Sequence, residues 1–157
     1  LPNAGKSTLI NRITHKNIAK AADKPGQTRV QQWIKISDDM QILDTPGIMP
    51  PKISEYEHGL WLACIFAIPS KIVDDETSSH FLLNFLIAKY PELIQNRYEL
   101  ETLPTDHDET IHQIGIKRGC LLKGGTIDLE RVYRIILADF RQGFLGKVCF
   151  EFPPSSK

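Results

Sequence analysis

The chain has 157 residues, enough for one ordinary domain or two small ones, and its hydrophobic fraction of 41% makes a buried core possible, so disorder is not the default reading. Its formal net charge is zero, which excludes simple whole-molecule attraction to a polyanion. The charge is uneven, however: residues 90–114 carry six acidic side chains against one basic, and residues 115–147 carry seven basic against three acidic, so a local basic surface is available.

In chain order, Lys6 to Thr14 reads as a short helix with Leu9, Ile10 and Ile13 on one face. His15 to Gln27 is polar, contains Lys24-Pro25-Gly26, and reads as a loop. Val30 to Ser37 and the segment from Gln41 to Leu43, separated by an Asp38-Asp39 turn, read as a β-hairpin. Asp44 to Pro51 is a Pro/Gly loop. Glu55 to Ala67 is predicted helical, with Leu60, Cys64 and Ala67 roughly in phase and Pro69 as the terminator. Thr77 to Lys89 is predicted helical with Phe81, Phe85 and Ala88 on one side, and Thr105 to Ile114 with Ile111 and Ile114 inward. The clearest helix is Asp128 to Gln142. Leu129, Val132, Tyr133, Ile136, Leu137 and Phe140 follow helical spacing, Asp128 is placed to cap the start, Arg141 sits in the last turn, and Gly143 suits the C′ position. Pro153 to Ser156 reads as a frayed end. The pattern implies an α/β portion over residues 1–70 followed by an all-helical portion over residues 71–157.

Cys64, Cys120 and Cys149 are far apart, odd in number and without a C-x-x-C pair, so neither a disulfide frame nor a zinc site is expected and a reducing compartment is the natural setting. No apolar run reaches the ~18–20 residues needed to span a bilayer.

Leu1-Pro2-Asn3-Ala4-Gly5-Lys6-Ser7 fits G-x-x-x-x-G-K-[ST] from its second position onward. The types at this spacing have a mechanical reason. Gly5 lets the backbone curl so that successive N–H groups point at phosphate oxygens. Lys6 reaches the β- and γ-phosphates, Ser7 offers a hydroxyl to Mg²⁺, and the helix beginning here adds its N-terminal dipole. The expected phosphate contacts are Asn3, Ala4, Gly5, Lys6, Ser7 and Thr8. A P-loop normally follows a buried strand, so the chain is expected to be the part of a longer protein that starts at its phosphate loop.

Asp44-Thr45-Pro46-Gly47 is a D-x-x-G motif ending an apolar strand, 38 residues after Lys6. Asp44 is placed to hold the Mg²⁺ shell through a water, and the Gly47 N–H to bond the γ-phosphate. Between the motifs, Pro25-Gly26-Gln27-Thr28-Arg29 offers Thr28 as a further Mg²⁺ ligand.

Pro2-Asn3-Ala4-Gly5-Lys6-Ser7-Thr8, Pro25 to Arg29 and Asp44 to Ile48 resemble GTPases related to translation factors. Lys117 to Leu121, Gly124-Gly125, Asp128 to Arg131, Asp139 to Gly143 and Leu145 to Lys147 resemble the C-terminal region of the ribosome biogenesis GTPase A family. That resemblance implies a circularly permuted GTPase whose guanine-reading N-K-x-D motif precedes the P-loop. No such motif occurs in this sequence, so specificity for GTP and GDP is implied by the resemblance alone. It further implies a cytoplasmic factor for late assembly of the large ribosomal subunit, an organelle such as the mitochondrial matrix remaining open, with the helical region touching rRNA. Lys117, Arg118, Lys123, Arg131, Arg134, Arg141 and Lys147 are the candidate RNA-facing residues. No aromatic stacking platform is evident, so readout of shape and phosphate is expected.

Ile48 follows D-T-P-G where many GTPases carry the Gln that orients the attacking water, and Ile has no polar atom for that task. No residue of this sequence is assigned as catalytic. Asn3 either shapes the loop or, as in similar GTPases, helps hold K⁺. Hydrolysis by the intact protein is expected to be slow and stimulated by the ribosomal particle, and this chain alone is not expected to be competent. Three other readings stay open: a GTPase of ordinary motif order in another RNA-related pathway, a non-catalytic RNA-binding assembly factor, and an ATPase.

Overall fold

The computed structural model describes residues 4–15, 31–49, 52–53 and 55–150. Asn3, Thr28 and the rest of the Pro25–Arg29 motif lie outside the described residues, as do Val30 at the expected strand start and the Pro153–Ser156 end. The chain divides into two compact units, Leu1–Val73 and Asp74–Lys157.

In the first unit, helix α1 (Lys6–Thr14) starts at Gly5, whose φ of 82° is a left-handed conformation that glycine adopts without Cβ strain. The Leu9 N–H donates to the Gly5 carbonyl at 2.9 Å and closes the first helical turn. Of the three apolar residues expected on one face, only Ile10 is buried; Leu9 is 60% exposed and Ile13 42%. The buried stripe is narrower than the spacing implied: Ile10 is the residue of the three that clusters with Ile34 and Ile42 of the following hairpin.

That hairpin is β1 (Gln32–Lys35) paired antiparallel with β2 (Gln41–Asp44). Its turn is tightened by the Ile36 and Ser37 N–H groups, both donating to the Met40 carbonyl. Register pairs Trp33 with Leu43 and Ile34 with Ile42. Period-two alternation sends Ile34 and Ile42 to one face, where they meet Ile10 of α1, and leaves Trp33 and Leu43 on the other, exposed one. The same parity puts Asp44 on the inward face, two residues beyond Ile42.

Helix α2 (Tyr56–Cys64) is shorter than expected, and Pro69 is not its terminator. The helix closes as a Schellman motif. The Ala67 N–H donates to the Leu62 carbonyl at 2.8 Å and the Phe66 N–H to Ala63 at 2.9 Å, with Phe66 at φ 57° in the place glycine usually takes. Ala67 is buried, but beyond the helix.

The second unit contains α3 (Asp75–Lys89), α4 (Pro91–Tyr98), α5 (His107–Lys117) and α6 (Leu129–Arg141). An isolated antiparallel bridge joins Leu121 to Ile127, so the unit is helix-rich and not purely helical. Aspartates cap three of the helices: Asp74 accepts from the Thr77 N–H at 2.7 Å, Asp106 from Asp108 at 3.0 Å and Asp128 from Arg131 at 3.1 Å. Helix α6 packs on α3 and α5, and α3 on α4. At the α5–α6 approach a Cβ on Gly115 would meet Ile127 at 2.7 Å and Val132 at 3.0 Å, so the helices approach this closely only with glycine there.

Two expectations for this unit are corrected. The buried face of α3 is Ser78, Ser79, Leu82, Leu83 and Leu86, whereas Phe81 and Phe85 are half-buried and Ala88 is exposed. The small serines admit a close neighbour, and Ser79 Oγ donates to the Tyr133 carbonyl at 3.2 Å. Helix α4 was not anticipated. Its signals are local: Pro91 at the first position, and Ile94 and Tyr98 four apart and both buried.

Candidate functional site

The turn at Gly5 leads into a helix start with no side-chain cap and no acidic residue in its first turn. The first N–H groups of α1 have no partner within the helix, and the dipole there favours an anion. Lys6 and Ser7 on this first turn are half-buried, while Ala4 and Thr8 are exposed. The arrangement is that of a backbone anion cradle with the flexible cation of Lys6 and the hydroxyl of Ser7 at its edge.

Strand β2 packs against α1. Its last residue, Asp44, is only 2% exposed, yet its Oδ1 is buried with no hydrogen-bond partner. Its other oxygen, Oδ2, accepts a long contact of 3.4 Å from Gln32 Nε2 across the hairpin. A buried carboxylate oxygen left without a donor is costly in isolation and suits a hydrated cation. That orphaned oxygen, beside a helix carrying Ser7, fits Mg²⁺ chemistry: hard oxygen donors, few in number, working with ligand phosphates. Beyond Asp44 the loop leaves Gly47 half-buried and Ile48 82% exposed, with no polar atom to offer.

The basic residues of the second unit do not form one set. Lys117, Lys123, Arg131, Arg134, Arg141 and Lys147 are exposed. Lys123 sits at the tip of the bridged turn between Leu121 and Ile127, next to Gly124 at φ 99°. Arg134 Nε donates back to the Glu130 carbonyl at 3.2 Å. Arg118 is engaged internally. Its Nη2 donates to the Arg97 carbonyl at 2.9 Å and lies 3.7 Å from Asp139 Oδ2, and its guanidinium covers the Tyr98 ring.

The centre of that cluster escaped sequence reasoning. Asp139 on α6 is 6% exposed and takes a two-pronged ion pair from Arg97 on α4, at 2.9 Å from Nε and 2.7 Å from Nη2. One carboxylate thus ties α4, the end of α5 and α6 together. The only sequence signal was Asp139 itself, a charged residue within the apolar stripe of α6.

The family described as 50S ribosome-binding GTPase matches residues 1–114. The chain belongs to this GTPase family. It is 45% identical over 155 residues to ribosome biogenesis GTPase A of Bacillus pumilus (strain SAFR-032), covering 99% of this chain and 55% of that protein. It is 30% identical over 142 residues to nucleolar GTP-binding protein 2 of Pneumocystis carinii, covering 90% of this chain and 29% of that one. A solved GDP-bound YlqF structure superimposes with a TM-score of 0.63 at 28% identity, covering 98% of this chain and 58% of that chain. A GNP-bound YlqF from Thermotoga maritima gives 0.60 at 27% identity, covering 96% of this chain and 56% of that one. The chain spans about half the length of the ribosome biogenesis GTPases it matches. Among its described residues no helix of this GTPase-family chain is long and apolar enough to cross a membrane.

Proposed function

We propose that this chain supplies the phosphate-binding and switch portion of a GTP-hydrolysing factor that acts late in assembly of the large ribosomal subunit, in the cytoplasm. The observation that carries the reading is the buried, partnerless Asp44 Oδ1 at the end of a strand packed on a helix whose N-terminus is open. Asn3 to Thr8 cradle the β- and γ-phosphates and Gly47 bonds the γ-phosphate. Ser7, Thr28 and Asp44, the last through water, would hold Mg²⁺, which would supply positive charge to the phosphate oxygens. Guanine is read by a motif upstream of the P-loop in a permuted order. The second unit contacts rRNA through its exposed basic residues; Arg118 holds Arg97 and Asp139 in place from within.

Ile48 cannot polarise water, so the attacking water would be oriented by a residue upstream of the phosphate loop, by a group from the ribosomal particle or by a metal ion, for which Asn3 is the candidate K⁺ ligand. Basal turnover of the intact protein is therefore slow. GTP turnover measured with and without large-subunit precursors, in K⁺ and then in Na⁺, tests this. Acceleration by the particle is expected. Equal rates in all four conditions would sink the proposal.

A further inference from the structure

The hairpin register sets Gln32 directly opposite Asp44, two steps along from the Ile34–Ile42 pair. Period-two alternation therefore puts both side chains on the face that carries those isoleucines. Gln32 is exposed, whereas Asp44 is 2% exposed. An amide can meet a carboxylate only through its NH₂ end, because its oxygen would repel another acceptor. Gln32 Nε2 stands 3.4 Å from Asp44 Oδ2, and Asp44 Oδ1 is buried with no partner. The two oxygens of one carboxylate are thus treated differently. One is tethered by a neutral donor; the other is kept for a ligand that the described residues do not supply.

The neutrality of the donor matters. A lysine or arginine at position 32 would tether the same oxygen but cancel the charge that a divalent ion needs. The far end of the hairpin carries such a pair on its surface, with Lys35 Nζ 2.6 Å from Asp38 Oδ1. An amide fixes the carboxylate and leaves its charge whole. As an ordinary cross-strand pair, Gln32 and Asp44 would only add to hairpin stability. A contact of 3.4 Å is too long to account on that basis for a carboxylate buried this deeply.

We propose that Gln32 is a positioning residue: it turns the Asp44 carboxylate so that Oδ1 faces the hydrated Mg²⁺ of the phosphate site. The proposal rests on the Mg²⁺ reading above and adds to it the side chain that orients the carboxylate.

The affinity of the intact protein for a fluorescent non-hydrolysable GTP analogue, titrated with Mg²⁺, tests it. The readout is the Mg²⁺ concentration at half the gain in affinity, with the affinity in EDTA as reference. Gln32→Leu keeps the stem and removes the donor, and the exposed position lets the variant fold. It is expected to raise the Mg²⁺ midpoint about five-fold and to leave the affinity in EDTA unchanged. Gln32→Lys, which restores a donor but cancels the charge, is expected to raise it at least as far. Asp44→Asn is expected to raise it about ten-fold or more, and Gln32→Leu added to Asp44→Asn to raise it no further. An unchanged midpoint in either Gln32 variant overturns the positioning role. So does an equal loss of affinity in Mg²⁺ and in EDTA, which would make Gln32 a hairpin residue only, or a further rise in the double variant. An unchanged midpoint in Asp44→Asn overturns the Mg²⁺ reading itself.

Discussion

In residues 1–73 the hairpin meets α1 through Ile10, Ile34 and Ile42, while Leu9, Ile13, Trp33 and Leu43 stay exposed. In residues 74–157, Leu82, Leu83, Leu86, Ile94, Ile114 and Ile136 are all at 0% exposure, and charged groups inside are paired across helices. Among the described residues, the first unit combines the buried Leu60, Ala63 and Cys64 of α2 with an open helix end and an orphaned carboxylate oxygen on Asp44; the second is dominated by packing. Ligand binding should therefore be felt mainly in the first unit, and core or network changes mainly in the second. A binding site built from backbone N–H groups needs little side-chain burial, and a bound anion adds to its stability.

The strongest test of that contrast is Lys6→Ala in the intact protein. Loss of the flexible Lys6 cation at the cradle is expected to weaken GTP about 100-fold or more by calorimetric titration, corresponding to about 3 kcal/mol. Urea unfolding of the helical unit should be unaffected. Unchanged GTP affinity would remove the phosphate-loop assignment, whereas a shift in the helical transition would break the separation of roles.

Asp139→Ala is the reciprocal perturbation. It leaves two guanidiniums facing one another without their carboxylate. Removing one partner of a buried pair costs about 3–5 kcal/mol, and the arginines here keep 28% and 30% of their side-chain surface, so about 2–3 kcal/mol is expected. The midpoint of urea unfolding reads it. A loss below about 1 kcal/mol would mean that the network is ornamental and α6 is held by its apolar stripe alone.

How much of this was legible in the sequence follows the same division. The apolar period of α6, its Asp128 cap and its Gly143 end were readable because each signal is local and they agree. The hairpin was readable from its turn and its alternation. The face of α3 was misread because Phe81 and Phe85 outweigh Ser78 and Ser79 in hydrophobicity, while the actual interface selects small residues for close approach. The end of α2 was misplaced because Phe66 takes a left-handed conformation that glycine usually marks. Motifs named Asp44, but its burial and its missing donor are tertiary facts, as is the Arg97–Asp139 pair 42 positions apart.

A smaller effect sharpens the local part of that lesson. Asp128→Ala removes the acceptor for the Arg131 N–H and is expected to cost about 1 kcal/mol in the urea midpoint, with Asp128→Asn restoring most of it. If Asn fails to rescue, the charge at the helix dipole matters more than the hydrogen bond.

The smallest stability effect at neutral pH carries the most specific signature. Tyr98 is 1% exposed and its hydroxyl has no hydrogen-bond partner, so Tyr98→Phe removes an unsatisfied group and keeps the ring beneath Arg118. Stability at pH 7 should change by less than about 0.5 kcal/mol in either direction. High pH separates the two proteins. Burial first, and then the Asp139 carboxylate, push the Tyr98 phenol well above its ordinary value. With the folded pKa raised, its contribution is fully present below the unfolded value of about 10 and is lost as pH climbs above it, because the unfolded chain releases a proton that the folded one keeps. Tyr98→Phe should therefore flatten the fall in stability above about pH 10 by up to about 1.4 kcal/mol per pH unit. Part of the fall should persist through Tyr133, whose phenol is also raised, by burial and then by Glu76. Identical alkaline profiles for the two proteins would mean that the phenol ionises with local opening of α4, and that the Asp139 network closes less tightly around Tyr98 than its burial implies.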